Sequence, residues 1–184
     1  MQHTLVALVE DRPGVINRIA SLFRRRAFNI QSITAGPTEQ PGVSRITIVI
    51  DSTETNAERV MANLLNQVYV IQVADLAQVP SVRRDLALVK VSASPDSRSL
   101  IMQLVEVYRA RIVDVNTESL VVEITGNEDK IDNFVDVLKP FGIQEMVRTG
   151  VVAMARGSGP MPRINGNGNG NGNGNGHKQS YAEA

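Results

Sequence analysis

The hydrophobic positions of this chain change period along its length, and the changes mark out its elements. Residues 3–9 (HTLVALV) are a short apolar, β-branched run that predicts a buried strand. Glu10-Asp11-Arg12-Pro13-Gly14 interrupts it. From Val15 the apolar residues fall at three- and four-residue steps, with Ile16, Ile19, Ala20, Phe23 and Ala27 on one side, which predicts an amphipathic helix of about three and a half turns. Residues 30–35 and 45–50 read as strands joined by a hairpin loop over 36–43, where Gly36, Pro37, Pro41 and Gly42 collect. Ser52-Thr53-Glu54 suits a helix cap, and Val60, Met61, Leu64, Leu65 and Val68 form the face of the helix that follows. Residues 69–79 return to strand. The order is βαββαβ.

The order then repeats. Residues 86–91 (LALVKV) are strand. Pro95-Asp96 opens a helix carrying Leu100, Ile101, Leu104, Val105 and Tyr108. Residues 111–115 and 120–125 are strands around a tight turn, 128–139 a helix with Ile131, Phe134, Val135 and Leu138 inward, and 143–155 a last strand. Setting LVALVE at residue 5 against LALVKV at residue 86 puts the period near 80 residues, a duplicated architecture rather than a short-repeat solenoid. Met61, Met102 and Met146 sit at apolar positions and are expected in the core. Beyond residue 157 an Asn-Gly run carries no apolar surface to offset chain entropy, so a disordered tail is expected. The expected class is α+β, with two tandem ferredoxin-like βαββαβ domains at 1–79 and 80–157 and a tail at 158–184. A βαββαβ unit packs both helices on one sheet face, so the other face and the edges are expected to stay open and to favour pairing of two N-terminal halves as a homodimer.

Composition narrows the chemistry. The 184 residues contain 19 basic and 19 acidic side chains, so net charge gives no reason to expect nucleic acid or an anionic membrane. There is no cysteine, and the two histidines, His3 and His177, lie near opposite termini, which argues against thiolate chemistry, a histidine metal site or a Ser-His-Asp triad. The start of the chain has neither a charged n-region nor an apolar h-region, and no run spans a bilayer, so a cytoplasmic protein is expected. An RNA-recognition module of the same topology needs aromatics on its central strands; residues 45–50 have none, and aromatics are 4% of the chain. A metal carrier would need Cys-x-x-Cys. An acylphosphatase-like enzyme could use Arg12 and Asn29, but no other residue supports it. The Arg24-Arg25-Arg26 run suits a solvated helix face or a docking surface.

The informative residues are Glu10-Asp11-Arg12-Pro13-Gly14-Val15. Gly14 allows close backbone approach, and the N–H groups of Gly14, Val15 and Ile16 at a helix N-terminus can hold a carboxylate. Asp11 and Asn29 are placed to accept from an ammonium group. The same residues also suit a plain tight turn with Asp11 capping the helix.

Longer motifs carry a resemblance. VEDRPGVI at 9–16, LFRRRAFNIQSI at 22–33, GPT at 36–38 with SRITI at 44–48, RDLALVKV at 84–91 and EMVRTGVVAMAR at 145–156 resemble the small regulatory subunit of acetolactate synthase (acetohydroxyacid synthase), whose first half is an ACT domain. The resemblance covers residues 2–157. It implies a chain without catalytic residues that binds valine and regulates a catalytic large subunit, within branched-chain amino acid biosynthesis. It further implies valine held between two protomers, by the helix N-terminus of one and the Asn29-Ile30 segment of the other. The implied effector residues are Asp11, Gly14, Val15, Ile16, Asn29 and Ile30. No cofactor is expected in this chain; thiamine diphosphate, Mg²⁺ and FAD are expected on the catalytic partner. Asp11 stands where relatives commonly have Asn, and Ala27 where Gly is common, a difference expected to matter little. The helix start near Ser94 has no glycine, so no second amino-acid pocket is expected, and the second half is assigned to contact with the catalytic subunit. An ACT-domain sensor of another client enzyme is the alternative.

Overall fold

A computed structural model describes residues 2–51, 57–158 and 161. The cap expected at Ser52-Thr53-Glu54 and all of the Asn-Gly run lie outside those residues. The elements run β1 (Gln2–Glu10), α1 (Val15–Arg25), β2 (Ile30–Pro37), β3 (Val43–Asp51), α2 (Ala57–Leu65), β4 (Val70–Asp75), β5 (Ser81–Ser92), α3 (Pro95–Val107), β6 (Arg111–Val115), β7 (Ser119–Gly126), α4 (Glu128–Leu138), a 3₁₀ turn (Lys139–Phe141), β8 (Ile143–Arg148) and β9 (Val152–Ala155). Two antiparallel sheets result, ordered β2-β3-β1-β4 and β6-β7-β5-β8, with β9 pairing β5. Both are ferredoxin-like, and the α+β class is as expected. None of the helices among the described residues is long and apolar enough to cross a membrane.

Each sheet buries alternate residues under its helix pair. In the first half Leu5, Ala7, Val9, Ile46, Ile48, Ile50 and Val73 meet Val15, Ile19, Leu22 and Phe23 of α1 and Ala57, Val60 and Leu64 of α2. The inward stripe of α1 is therefore i, i+4, i+7, i+8 starting from Val15. This corrects the expected face: Ile16 is 54% exposed and Ala20 is exposed, since both lie about a quarter-turn off the stripe. Leu65, Val68, Leu100, Met102 and Met146 are likewise exposed rather than buried. Val68 lies past the end of α2. The hairpin loop shrinks to residues 38–42, because Gly36 and Pro37 pair with Arg45 and Ser44. The strand expected over 69–79 ends at Asp75, and the one expected over 143–155 breaks at Gly150, whose φ is +84°.

The repeat is real, but its offset is 82 residues. Pairing shifts register between Leu8 and Val9 in β1 and between Lys90 and Val91 in β5; it shifts between Ile30 and Ser32 in β2 and between Ile112 and Asp114 in β6. Leu5, Ala7 and Val9 thus correspond to Ala87, Val89 and Val91, all facing helices. An offset of 81 would exchange the two faces of the strand. The slip arises because β1 is apolar on both sides: Val6, on the helix-free face, is fully buried.

The same offset relates two helix ends. After α1, Phe28 N–H donates to Phe23 C=O (2.9 Å) and Ala27 N–H to Arg24 C=O (3.2 Å). After α3, Ala110 N–H donates to Val105 C=O (2.8 Å) and Arg109 N–H to Glu106 C=O (3.0 Å). Both are Schellman motifs, closed in the first case by a Phe23–Phe28 edge contact at 5.8 Å. The left-handed position is Ala27 (φ +53°) in one and Arg109 (φ +53°) in the other. Ala27 therefore follows α1 instead of lining it, and its departure from glycine carries strain.

The helix-free face of the first sheet does not stay open. Val6, Val49 and Leu76 are buried against Val151 and Ala153 of the second half. Arg45 Nη2 donates to the Ala153 carbonyl at 2.6 Å, and Gln72 Nε2 to that of Met161 at 3.0 Å. Burial pulls the Arg45 pKa below its ordinary value, with Glu39 opposing. Motifs that lie a hundred residues apart, SRITI and RTGVVAMAR, are two sides of this one contact.

Candidate functional site

The loop between β1 and α1 is pinned where it leaves β1. Glu10 N–H donates to Tyr69 C=O (2.9 Å) and Asp11 N–H to Gly42 C=O (2.8 Å). Gly14 is the N-cap of α1 at φ +86°, ψ −4°, a left-handed conformation that glycine adopts without penalty. A Cβ built on Gly14 would meet nothing within 4 Å, so the requirement is conformational, not steric.

No side chain caps α1 and no acidic residue stands in its first turn. Asp11 therefore does not serve as the helix cap that the loop sequence also allows. Val15 N–H reaches only Arg12 C=O at 3.4 Å, a long bond. By contrast Ser94 Oγ caps α3 and Asn127 Oδ1 caps α4, each accepting the backbone N–H three residues on, with acids in the first turns. The first turn of α1 thus presents backbone donors and the positive end of the helix dipole with no internal anion to meet them. Asp11, Arg12, Pro13, Gly14, Ile16, Asn17 and Ala20 line a shallow concavity there. Its floor is apolar because Ile16 and Ala20, the residues displaced from the core stripe, lie on it. The Val15 side chain is buried beneath.

The other two candidates lie elsewhere. Asn29 is exposed and Ile30 half-buried, just past the Schellman turn that ends α1. Along an 11-residue helix the two ends are separated by about 16 Å. One chain therefore gathers Asp11, Gly14, Val15 and Ile16 but does not bring Asn29 and Ile30 to them.

Arg18 and Tyr69, which the sequence reading missed, frame the loop together with Arg12. The guanidinium of Arg12 stacks 5.5 Å from the Tyr69 ring and that of Arg18 lies 6.0 Å from it. Arg12 Nε also donates to Glu10 Oε2 at 2.7 Å. Tyr69 has φ +75°, a strained value for a bulky residue, held where its carbonyl receives Glu10 N–H. No local pattern signals a Tyr that supports a loop almost sixty residues earlier.

The second half holds its own polar cluster. Asp85 is 3% exposed, and its Oδ1 accepts from Thr149 Oγ1 and Gly150 N–H, both at 3.1 Å. Its Oδ2 accepts from Arg148 Nε at 2.8 Å and Nη2 at 2.7 Å, while Arg148 Nη1 donates to Asp132 at 2.6 Å. Burial lowers the Arg148 pKa, but the two carboxylates more than offset it and the net direction is upward. No buried side-chain nitrogen or oxygen among the described residues lacks a partner, so this cluster is a satisfied structural network.

Comparison with known proteins converges on one family. Residues 5–72 match the family described as "AHAS small subunit-like ACT domain", and residues 84–157 match "Small subunit of acetolactate synthase". The acetolactate synthase small subunit of Mycobacterium leprae is 47% identical over 155 residues, spanning 84% of this chain and 92% of that one. The Bacillus subtilis acetolactate synthase small subunit is 43% identical over 159 residues, spanning 86% and 92%. The crystal structure of the acetolactate synthase small subunit from Thermotoga maritima superposes with a TM-score of 0.78 at 37% identity, covering 86% of this chain and 99% of the other. With both halves matched separately and the relatives covered nearly end to end, this chain belongs to the acetolactate synthase small-subunit family.

Proposed function

We propose that this chain is the regulatory subunit of acetolactate synthase: it binds valine and passes that signal to a catalytic large subunit in branched-chain amino acid biosynthesis. The observation that carries the proposal is the uncapped, acid-free N-terminus of α1 behind a left-handed Gly14. A valine carboxylate supplies the missing acceptor for the N–H groups of Gly14, Val15 and Ile16. The exposed Ile16 and Ala20 offer an apolar surface for its isopropyl group, and Asp11 offers a carboxylate for its ammonium. Asn29 and Ile30 contribute from a second copy, since about 16 Å separates them from Gly14 within one chain. Supporting this pairing, β2 is an edge strand and follows Asn29 directly. The chain takes no part in covalent chemistry; thiamine diphosphate, Mg²⁺ and FAD belong to the large subunit.

A matched pair of variants tests the site. Asn and Asp are nearly isosteric, and both tolerate a left-handed backbone better than other residues. Gly14→Asn therefore measures the backbone cost alone, and Gly14→Asp adds one negative charge facing the ligand carboxylate. Gly14→Asp should weaken valine binding about tenfold or more beyond Gly14→Asn, the size of one close like-charge contact at about 1.4 kcal/mol per decade. Equal affinities in calorimetry would refute the site. Co-purification of a thiamine-diphosphate enzyme with the tagged chain tests the partner.

A further inference from the structure

The two halves meet through residues 149–155, which lie on the helix-free face of the first sheet. This segment is gripped from both sides. On the second half, Asp85 accepts from Thr149 and Gly150 and ion-pairs with Arg148, while β9 pairs with β5. On the first half, Val151 N–H donates to Ser32 Oγ (3.2 Å) and Thr34 Oγ1 donates to Thr149 C=O (3.4 Å).

Ser32 is brought there by an irregularity in β2. Ile30 pairs with Ile50 and faces the helices; Ser32 pairs with Val49, whose side chain faces the other way. Residues two apart in a regular strand share a face. The register shift between Ile30 and Ser32 reverses this, turning Ser32 and Thr34 toward the second half. The fit is close: a Cβ on Gly150 would lie 2.7 Å from Ser32 Oγ and 3.1 Å from Thr34 Oγ1.

We propose that Ser32 is the positioning residue that couples the Asn29-Ile30 segment to the second half, an inference that rests on effector binding at that segment. An occupied Asn29-Ile30 segment sets the bulge one residue away. The bulge sets where Ser32 and Thr34 stand, and these move residues 149–151, which Asp85 ties into the second sheet. Ser32 itself contributes nothing to the effector pocket, since it faces the opposite side of the strand from Ile30.

The test uses the full chain, alone and reconstituted with its catalytic large subunit. Ser32→Ala should bind valine within about twofold of the wild type in calorimetry. The ratio of activity without and with saturating valine should fall about fivefold, the size of one net hydrogen bond in a coupling constant. Amide exchange at Val151 should quicken, confirming that the contact is lost. Gly150→Ala, which forces Ser32 aside, should reproduce the weakened inhibition by an independent change. Valine inhibition that persists in both variants while Val151 exchange quickens overturns the coupling role. Binding that weakens in parallel with inhibition also overturns it, by placing Ser32 in the pocket. Absence of valine binding by the wild-type chain is a separate failure, sinking the effector reading and the coupling with it.

Discussion

Ala27→Gly should stabilise this protein, although replacing alanine by glycine usually does the reverse. Ala27 is exposed and holds φ +53° at the left-handed position of the Schellman turn after α1. A residue with a Cβ pays roughly 1–2 kcal/mol there. Glycine removes that strain but adds unfolded-chain entropy worth roughly 0.4–1 kcal/mol. The difference is a gain of about 0.5–1 kcal/mol. With a slope of about 2 kcal/mol per molar urea, the unfolding midpoint should rise by about 0.3–0.5 M at constant slope. Two companions make the result decisive. Arg109→Gly, at the equivalent position 82 residues on, should shift the midpoint the same way. Ala20→Gly, the same chemical change on the exposed side of α1, should lower stability by about 1 kcal/mol. If Ala27→Gly proves as destabilising as Ala20→Gly, the strain argument fails.

Arg148 has one buried and one exposed carboxylate partner, and only the first should matter. Asp85→Ala strands Gly150 N–H and part of the Arg148 charge, and should cost about 3 kcal/mol in urea unfolding. Asp132→Ala, whose carboxylate is 58% exposed, should cost under about 0.5 kcal/mol. Equal costs would show that the ion pair, rather than the buried turn, sets the energy. Leu76→Ala opens a cavity between Val6, Val49 and Val151 and should cost about 2–5 kcal/mol. Its midpoint should fall for probes in both halves, whereas a loss confined to one half would mean that the shared cluster does not join them.

Much of the fold was legible because its signals are local. The switch from a continuous apolar run to a helical period at Val15, the Pro-Gly and Gly-Pro interruptions and the second βαββαβ pass all follow from backbone geometry acting over a few residues. The loop and its glycine were legible for the same reason: only a residue without a Cβ caps α1 at φ +86° without strain. Which side of a segment faces inward was less legible. Ile16, Ala20 and Leu100 fit a helical period yet point outward, because period fixes spacing while the neighbouring sheet decides orientation. The apolar doubling of β1 likewise left its alignment with β5 ambiguous by one residue.

What depended on residues far apart was decided only by the tertiary structure. The Arg12–Tyr69–Arg18 stack, the three residues that donate to Asp85, and the seating of Val151 and Ala153 over Val6 and Val49 each join chain segments tens of residues apart or more. No local spacing encodes such meetings, since they follow from strand order and from one bulge that turns Ser32 to the other face. The sequence alone determined two βαββαβ units and the Pro13-Gly14 turn ahead of α1, because turn and period energies are short-ranged. Packing decided that the units share a third hydrophobic cluster, because apolar area on an uncovered sheet face is buried by whichever segment the topology brings to it.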